Sequence, residues 1–428
     1  MLRTLLKSTV VAVAAATALT ACSGADTEPN ASADPNSGSG SVTLWARDSQ
    51  SDFMQQLADE FNATHQTQVE VTIVTSDQYV QKFGTAAAGG DAPDLASIDL
   101  VYVPYFASVG ALSDLTEQVE ALDWKDDMSP AHTRQGVYEG RVYSMPFTAD
   151  VSVLYYNKDL MAAAGLDPES PPTTMDELAA AAAAVAGIDE ATYGTVFSGA
   201  CGGCALFGLA PHVWAAGGNL LSDDGTTAQL DSPEVTDMLE MYRGLYDDDM
   251  VPELVTTDGG SNAGEAFAQG RAGFYQWGSF YVSALADADF DWGVVPIAGP
   301  NAGDSAAFAG GDNITIPAGA SNPEGAWEFL EWASSQAGQQ MLVDQGQMPI
   351  RMDLIDDIYT PLDERNAVFA DALATGNCPY SVVENELFND SNGIWATLIQ
   401  EAIFGDTSVA DAQATAQEAA QELIDSSN

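Results

Sequence analysis

Two cysteines stand among glycines in the segment SGACGGCALFG, residues 198–208, and three kinds of chemistry use such a pair. A Cys-x-x-Cys pair can act as a redox centre, supply half of a zinc site, or close a small disulfide. A redox centre requires the pair at the start of a helix in a small redox fold. A zinc site requires a second pair or histidines at ligand spacing, and His212 alone supports it weakly. We find neither context around Cys201 and Cys204, and we predict no metal site and no cofactor.

The amino-terminal segment MLRTLLKSTVVAVAAATALTAC has the pattern of a secretory signal peptide. Arg3 and Lys7 precede an apolar run that is too short for a membrane-spanning helix, which needs about 20 residues. The run ends in Leu-Thr-Ala-Cys, which resembles a bacterial lipobox. We therefore expect a signal peptide over residues 1–21 and lipidation of Cys22, which would anchor an extracytoplasmic protein to the cell membrane. Cleavage elsewhere with plain secretion is the alternative.

The predicted extracytoplasmic location determines whether the other cysteines can form disulfides. Lipidation of Cys22 would leave three thiols in an oxidising setting, where disulfides persist. Three single pairings are possible among Cys201, Cys204 and Cys378, and the spacing does not determine the connectivity. The pair Cys201 and Cys204 is the shortest, and the two glycines between its members are flexible enough to close a small loop. We favour a structural disulfide there, which leaves Cys378 unpaired.

The chain is strongly acidic, with 63 Asp and Glu against 12 Lys and Arg in 428 residues. Such a surface repels nucleic acid and anionic lipid, because both are bound through basic patches. We therefore expect no nucleic-acid partner, and contact with the membrane only through the lipid. General solubility explains the acidity, which by itself does not identify a cationic ligand.

The composition also divides the chain. Residues 22–41 are rich in Ser, Gly, Pro, Asp and Asn without an apolar period, so they are predicted to form a flexible tether. The body that follows has about 400 residues, which exceeds the size at which single cores stop growing and predicts two lobes. We see no internal repeat and no second membrane-spanning segment.

Strands and helices alternate along the body. Residues 41–47 and 68–74 have the β-branched and aromatic composition of strands, and residues 94–98 are predicted as a third strand. Helices are predicted between them at 51–62, where Phe53, Leu57 and Phe61 recur four apart, and around 78–88. This alternation indicates a parallel sheet with helical crossovers.

The same pattern continues through the second half of the body. Residues 151–156 are predicted as a strand, and Thr174 to Glu177 form a capping box that opens a helix closed by Gly187. Further helices are predicted from Asn322 and over residues 410–424.

Residues 142–178, VYSMPFTADVSVLYYNKDLMAAAGLDPESPPTTMDEL, carry a resemblance to a known family. A Pro, a polar turn, a strand and Tyr-Tyr-Asn-Lys-Asp-Leu are followed by Ala-Gly-Leu and a Pro-Thr-Thr helix start. This arrangement resembles the family 1 extracellular solute-binding proteins, ligand-capturing lipoproteins of carbohydrate import systems that are related to maltose-binding protein. The resemblance covers nearly the whole chain from Val42 and includes residues 92–94, 214–219, 267–273, 307–312, 326–329 and 349–351.

The resemblance implies an α/β, two-lobed, periplasmic-binding-protein-like fold of type II, with a ligand cleft between lobes joined by a hinge that the chain crosses several times. The crossings are expected near Thr148, Gly311 and Arg351. The amino-terminal lobe would comprise residues 42–148 plus 312–350, and the carboxyl-terminal lobe residues 149–311 plus 351–428. In such folds ligands lie outside the carboxyl ends of the strands, and closure of the lobes is the motion that a transporter can sense.

The resemblance also implies the function. The protein would capture a di- or oligosaccharide and deliver it to the membrane permease subunits of an ABC importer, as a monomer and without catalysis. The alternative is a secreted glycoside hydrolase that uses paired carboxylates. Among 63 acidic residues, however, candidate pairs carry no information, and we find no Gly-x-Ser-x-Gly or His-Glu-x-x-His motif. A surface adhesin or structural lipoprotein is a third class.

Sugars present hydroxyls and an apolar ring face, so their sites combine carboxylates, Arg and aromatic rings. Arg47 and Asp48 end the first strand, where the resemblance places ligand contact; a local ion pair is the alternative. Asp99 follows the third strand and could instead cap the next helix. Asp150 precedes the YYNKDL motif at the position where related proteins present an acidic residue to sugar hydroxyls.

The resemblance supplies three aromatic candidates. Trp277 matches the family's stacking tryptophan, and Trp395 occupies a late aromatic position that stacks on sugar in the maltose-binding relative. Phe207 aligns near a sugar-facing aromatic position, so the disulfide would order a loop that contacts the ligand. Burial in the core is the alternative for both tryptophans.

The last candidates lie at the expected hinge crossings. Gly310 and Gly311, beside Asp312, would let the backbone approach a ligand closely because glycine lacks a Cβ atom, or would simply give the hinge flexibility. Arg351 presents a planar fork of donors that suits adjacent hydroxyls or a carboxylate. A salt bridge to one of the many acids is the alternative for Arg351.

Overall fold

The computed structural model describes residues 40–427. The predicted signal peptide, Cys22 and the tether up to residue 39 lie outside these residues. The strands of the described part are β1 (Ser41–Arg47), β2 (Gln68–Val74), β3 (Leu95–Asp99), β4 (Val137–Tyr138), β5 (Arg141–Val142), β6 (Met145–Asn157), β7 (Tyr193–Val196), β8 (Ala272–Gly278), β9 (Trp292–Val295), β10 (Ile297–Ala298), β11 (Ser305–Ala306) and β12 (Ala309–Thr315).

The α-helices are α1 (Ser51–Thr64), α2 (Ser76–Gly89), α3 (Val103–Ser108), α4 (Thr116–Glu120), α5 (Pro130–Gln135), α6 (Lys158–Ala163), α7 (Met175–Ala186), α8 (Gly202–Ala215), α9 (Pro233–Asp247), α10 (Ala263–Ala268), α11 (Pro323–Ser334), α12 (Gln336–Asp344), α13 (Ile355–Ile358), α14 (Asn366–Thr375), α15 (Ile394–Ile399) and α16 (Val409–Ser427). Each helix within residues 40–427 is too short or too polar to traverse a lipid bilayer.

The elements predicted from local patterns are confirmed. β1 and β2 have the predicted bounds, and α1 ends at Thr64, two residues beyond the end of the predicted helix. Phe53, Leu57 and Phe61 lie on the buried face of α1, and burial of each such side chain contributes about 1.5–3 kcal/mol. The amphipathic spacing therefore correctly predicts which face of this helix is buried.

The start of α7 departs from the predicted capping box in one contact. The Thr174 hydroxyl accepts a hydrogen bond from the Glu177 backbone N–H at 3.2 Å, as predicted. The Glu177 carboxylate instead accepts from the backbone N–H of Thr173 at 2.8 Å, one residue before the cap. The backbone N–H of Glu177 is thus capped, and the helix begins at the predicted place.

Eight strands of the described part form one mixed sheet in the order β2-β1-β3-β12-β6-β8-β7, with β9 also paired to β6. The pairs β1 with β2, β1 with β3, and β7 with β8 are parallel, as the alternation of strands and helices predicts. β12 and β6 are antiparallel to each other, and they are also antiparallel to β3 and β8 respectively. The prediction of a purely parallel sheet is thus wrong at its centre.

Two long central strands explain this exception. β6 pairs with β12 along its first half and with β8 and β9 along its second half, so it passes from one group of strands to the other. β12 runs alongside in the reverse direction and joins the group that contains β1 and β3. The chain leaves one group of strands along β6 and returns to it along β12. The two strands therefore run in opposite directions and pair as antiparallel neighbours.

Candidate functional site

Four neighbouring strands bring four charged side chains to one edge of the sheet. Arg47 and Asp99 are the last residues of the parallel strands β1 and β3. Asp312 on β12 lies directly opposite Asp99, and Asp150 on β6 lies opposite Gly310. We call Arg47, Asp99, Asp150 and Asp312 the strand-end cluster. Its assembly follows from strand order and register, at the carboxyl ends of parallel strands where ligands of α/β proteins bind.

Arg47 holds the cluster together. Its Nη2 atom donates to Asp312 Oδ2 at 2.5 Å, and its Nη1 atom donates to Asp99 Oδ2 at 3.4 Å. Burial alone would lower the pKa of Arg47, but the charges of Asp312, Asp99 and Asp150 outweigh burial and raise it above its ordinary value. The Nε atom of Arg47 is buried without a hydrogen-bond partner among the described residues, so one donor is left for a ligand.

The carboxylates of the cluster outnumber the arginine. Burial raises the pKa of Asp99 to about 6 despite the opposing charge of Arg47, and Asp312 adds to the rise. Burial, followed by the charges of Asp99 and Asp312, raises the pKa of Asp150 to about 7. The side chains of Arg47 and Asp99 are still 23% and 34% exposed, so the cluster faces solvent on one side.

The two glycines of β12 are needed where this strand meets β6. Gly311 has φ +121°, and a Cβ atom there would collide with the backbone carbonyl of Thr148. A Cβ atom on Gly310 would lie 2.7 Å from Asp150 Oδ1 and 3.1 Å from the ring of Phe207. The pairing of β12 with β6 also shifts between Asp312 and Asn313. Glycine and an irregular register thus let the backbone touch both a carboxylate and an aromatic ring.

Phe207 belongs to a group of rings beside Gly310. Its centroid lies 5.1 Å from Phe308, 5.9 Å from Trp277 and 6.4 Å from Phe280. Phe280 is 54% exposed, whereas Phe308 is buried and the other two rings are half-buried. We call these four residues the aromatic cluster. Its partly exposed rings offer an apolar surface next to the carboxylate of Asp150.

The predicted disulfide between Cys201 and Cys204 is present at the amino terminus of α8, the helix that carries Phe207. Cys201 is the N-cap residue, and its sulfur lies 3.1 Å from the Cys204 backbone nitrogen. A Cβ atom on Gly202 would collide with the Phe388 carbonyl, and one on Gly260 would lie 2.7 Å from the Cys204 sulfur. The disulfide is therefore packed between two other segments and fixes the start of α8.

Cys378 is unpaired and buried among the described residues, as predicted. One part of the sequence argument needs correction, because the Cys-x-x-Cys pair does lie at a helix start. Within residues 40–427, no group of three or more His, Cys, Asp or Glu side chains is arranged to hold a metal ion.

Besides the two glycines of β12, three predicted site residues lie outside both clusters. Arg351 donates two hydrogen bonds to Asp353 at 2.7 and 2.6 Å and one to the Ser334 carbonyl at 3.3 Å, and its guanidinium lies 5.2 Å from the ring centroid of Trp124. The alternative of a salt bridge is thus the observed arrangement for Arg351, because its donors are occupied within the fold.

Asp48 and Trp395 also have local partners. Asp48 is exposed and accepts hydrogen bonds from the backbone N–H and hydroxyl of Ser76 at 3.1 and 2.5 Å, which lowers the pKa of Asp48 and caps α2. Trp395 is 0% exposed and packs against Phe388 at 6.1 Å, so in this structure it belongs to the core.

Sequence reasoning missed Glu384, Phe280 and Phe308 as site residues. Glu384 is 2% exposed, and burial followed by the charge of Asp99 raises its pKa well above the ordinary value. It lies in an irregular segment before the π-helical turn Asn385–Asn389, where no strand end marks it. Phe280 could have been found from its position three residues after Trp277, and Phe308 lies in a segment that carried the family resemblance.

Comparisons with known proteins agree with this arrangement. A solute-binding protein of an ABC transporter from Thermotoga lettingae, solved with alpha-D-tagatose, has 26% sequence identity and a TM-score of 0.78, covering 90% of this chain and 100% of its own. The cyclic alpha-maltosyl-1,6-maltose binding protein of Arthrobacter globiformis also has 26% identity and a TM-score of 0.78, covering 91% of this chain and 100% of its own. The two-lobed type II fold is thereby confirmed.

Among curated sequences, the maltotriose-binding protein of Pyrococcus abyssi is 24% identical over 329 residues, which are 75% of this chain and 68% of that protein. The family described as bacterial extracellular solute-binding protein matches residues 47–340. Its members bind a solute rather than convert it, so the chain is not an enzyme. The match spans more than half of the sequence and includes every residue of both clusters. The chain therefore belongs to the bacterial extracellular solute-binding proteins.

Proposed function

We propose that this protein is a lipid-anchored receptor that captures a di- or oligosaccharide outside the cell and delivers it to an ABC importer. The observation that carries the proposal is the meeting of the strand-end cluster and the aromatic cluster at Gly310. A carboxylate and an aromatic ring both touch the same glycine, at the sheet edge where ligands of this fold class bind.

The two clusters match the two kinds of surface that a sugar presents. Asp150 Oδ1 and Asp312 Oδ1 are buried acceptors without donors among the described residues, and Arg47 Nε is a buried donor without an acceptor there. Sugar hydroxyls can donate to the carboxylates and accept from the guanidinium, which removes the cost of leaving these atoms unpaired. Trp277 and Phe207 can cover an apolar ring face.

The central strands suggest how binding would be reported to a permease. β6 and β12 connect the two groups of strands, and the cluster residues Asp150 and Asp312 lie on them. We place the lobe boundaries near Thr148, Gly311 and Arg351, so that a ligand touching both lobes would draw them together. A closed, loaded receptor differs in shape from an open one, which is what a permease needs to distinguish.

The proposed ligand size rests on the relatives. Those named for maltotriose and for cyclic maltosyl-maltose bind oligosaccharides, whereas the Thermotoga lettingae protein was solved with a monosaccharide. The aromatic cluster supports the larger size, since its three partly exposed rings offer more stacking surface than one pyranose covers.

A thermal-shift screen over mono-, di- and oligosaccharides tests the binding function. A ligand that binds only the native state must raise the melting temperature, by an amount that grows with its concentration. We expect stabilisation by a disaccharide or longer sugar, and the Trp277→Ala variant should lose most of the shift. Amino acids serve as matched controls. Stabilisation by amino acids alone, or by no solute, would contradict the proposal.

The anchor is tested separately, because it concerns residues outside the described part. We expect the mature protein from a lipoprotein-processing bacterial host to begin at Cys22 and to carry the mass of a diacylglyceryl group. Intact mass spectrometry of detergent-extracted protein measures this, and Cys22→Ser provides the control. An unmodified Cys22, or a start elsewhere, would remove the anchor from the proposal.

A further inference from the structure

The strand-end cluster carries more negative charge than its arginine can balance. Asp99, Asp150 and Asp312 all act on the single guanidinium of Arg47, and the charge of Glu384 reaches Asp99 as well. Two of these carboxylates are paired directly with Arg47, at 2.5 and 3.4 Å. The fold thus gathers three acidic side chains around one basic side chain, and a fourth, Glu384, interacts with Asp99.

Hydrogen-bond donors from other residues do not compensate this excess of negative charge. Asp312 is 3% exposed and Glu384 is 2% exposed, yet Oδ1 of Asp312 and Oε1 of Glu384 have no hydrogen-bond donor within residues 40–427. The second oxygen of Glu384 accepts from Asn389 at 2.7 Å. Buried carboxylate oxygens are normally hydrogen-bonded, so these atoms call for a ligand that brings donors or positive charge.

An aromatic ring lies at the same place. A Cβ atom placed on Gly310 would lie 2.7 Å from Asp150 Oδ1, 3.1 Å from Phe207 and 3.3 Å from Phe308, so the carboxylate of Asp150 lies close to both rings. Aromatic faces attract an ammonium or guanidinium group within about 6 Å of the ring centroid. A carboxylate beside such rings is a pairing suited to an organic cation, since a bare metal ion gains little from the rings and loses its water.

We infer that the ligand is a cationic amino sugar, whose protonated amine is bound by the carboxylates of the strand-end cluster on the side where Asp150 lies near the half-buried ring of Phe207. This inference rests on the proposed function and adds the charge of the ligand to it. A neutral hydroxyl can donate one hydrogen bond to a carboxylate, but it leaves the buried charge in place. An ammonium group donates three hydrogen bonds and cancels that charge.

Binding of a cation should release protons. The groups that face Asp150 are Arg47 from β1, Asp99 from β3 and Asp312 from β12, and beyond them lie Glu384, Tyr79 and Tyr102. Burial and these carboxylates raise the pKa of Asp150 to about 7. An ammonium at hydrogen-bond distance favours the ionised carboxylate, so a proton held by Asp150 near pH 7 leaves when the amino sugar binds.

The test compares sugars that differ only in the substituent at C2 of each ring, measured by isothermal titration calorimetry. We would compare glucosamine with glucose, galactosamine with galactose, and the β-1,4-linked disaccharide of glucosamine with both cellobiose and its N-acetylated form. The amine member of a pair should bind at least about tenfold more tightly, because charge-assisted hydrogen bonds are roughly twice as strong as neutral ones. Repetition in buffers of different ionisation enthalpy should reveal proton release on binding.

The variant Asp150→Asn keeps the size of the side chain and removes its charge. It should abolish the preference for the amine and the proton release, so that the amine and the neutral member of a pair bind with the same, weakened affinity. The control Glu60→Gln removes one negative charge from an exposed residue that has no contact to the cluster. It should preserve both the preference for the amine and the proton release.

Each outcome decides the inference. Equal or tighter binding of the neutral members would overturn it and leave the proposed function intact, and stabilisation by calcium chloride alone would also overturn it. An amine preference that survives in Asp150→Asn would overturn the position given to the ammonium. If no sugar binds, the inference and the proposed function fall together.

Discussion

The two halves of the candidate site are held in place by different means. The strand-end cluster is assembled by strand pairing, because Asp99 lies directly opposite Asp312 and Arg47 ends the strand next to that of Asp99. The aromatic cluster is drawn from α8, β8 and the segments that follow β8 and precede β12, and the disulfide at the start of α8 supports it. The first half is thus fixed by backbone hydrogen bonds, and the second by side-chain packing.

This difference has energetic consequences. In the strand-end cluster, buried charges depend on one arginine, so loss of a single partner leaves other charges without compensation. In the aromatic cluster each ring touches several others, and loss of one ring removes contact area without creating an unpaired charge. We therefore expect changes in the first half to affect stability in a pH-dependent manner, and changes in the second half to affect mainly ligand binding.

Replacing Arg47 by Met should produce the largest effect. The free energy of unfolding should fall by about 3–5 kcal/mol near pH 7, because the buried Asp312 carboxylate is left without its counter-ion and the partly exposed Asp99 also loses its partner. The loss should shrink toward pH 5. Burial already raises the pKa of Asp99 to about 6 against the effect of Arg47, and without Arg47 it rises further. The native state then binds a proton that the unfolded state lacks, so stability increases as pH falls. Urea unfolding at several pH values measures this.

Arg351→Met is the matched control for Arg47→Met. Arg351 is buried, but its partner Asp353 is 35% exposed and can be hydrated after the change, whereas Asp312, the closer partner of Arg47, is only 5% exposed. We expect a loss of about 1–3 kcal/mol that hardly varies between pH 5 and 8. Equal losses in the two variants at every pH would erase the distinction between a surplus of charge at Arg47 and a matched pair at Arg351.

The two tryptophans that were predicted to stack on sugar provide the second prediction. Trp395→Ala should lower the free energy of unfolding by about 3–5 kcal/mol, because the side chain is fully buried in the core. Trp277→Ala should weaken sugar binding about tenfold with a smaller loss of stability, because its ring is half-buried beside Phe207. Calorimetric binding and urea unfolding of both variants measure the two effects. If Trp395→Ala weakened sugar binding and Trp277→Ala mainly lowered stability, the roles given to the two rings would be wrong.

The same distinction decides what the sequence could reveal. Arg47, Asp99, Asp150 and Asp312 were found because each stands at a strand end or hinge that local patterns and the family resemblance marked. Glu384 was not, since its place near Asp99 depends on the packing of an irregular segment far away in the sequence. Arg351 and Trp395 carried the right chemistry at expected positions, but saturation of an arginine by its neighbours and complete burial of a ring are properties of the folded chain.

Loss of the disulfide should have the third largest effect. Replacing Cys201 and Cys204 by Ser should lower the free energy of unfolding by about 2 kcal/mol, the value expected for so short a loop from chain entropy. The affinity for sugar should fall severalfold as well, because α8 carries Phe207 and begins at the disulfide. Reductant should reproduce the effect in the natural protein and have none in the double variant. A loss of stability without any loss of affinity would separate the disulfide from the aromatic cluster.

Asp150→Asn should have the smallest effect on stability, and its sign should be opposite to the others. Burial and the charges of Asp99 and Asp312 raise the pKa of Asp150 to about 7, above the 3.8 of an unperturbed aspartate. The native state therefore binds a proton more tightly than the unfolded state, and the charged form costs stability as pH rises from about 4 to about 7. Removing the charge should raise the free energy of unfolding at pH 8 by about 1 kcal/mol, less than the full shift implies because the cluster has access to solvent.

At pH 4 the same variant should match the natural protein, because Asp150 is already protonated in the native state and Asn then replaces a neutral side chain of equal size. Urea unfolding at pH 4 and pH 8, with Glu60→Gln as the control for net charge, distinguishes this from a general effect of acidity. A gain of equal size at both pH values would show that Asp150 is not strained by its charged neighbours. The strand-end cluster would then not differ from the aromatic cluster in its dependence on charge.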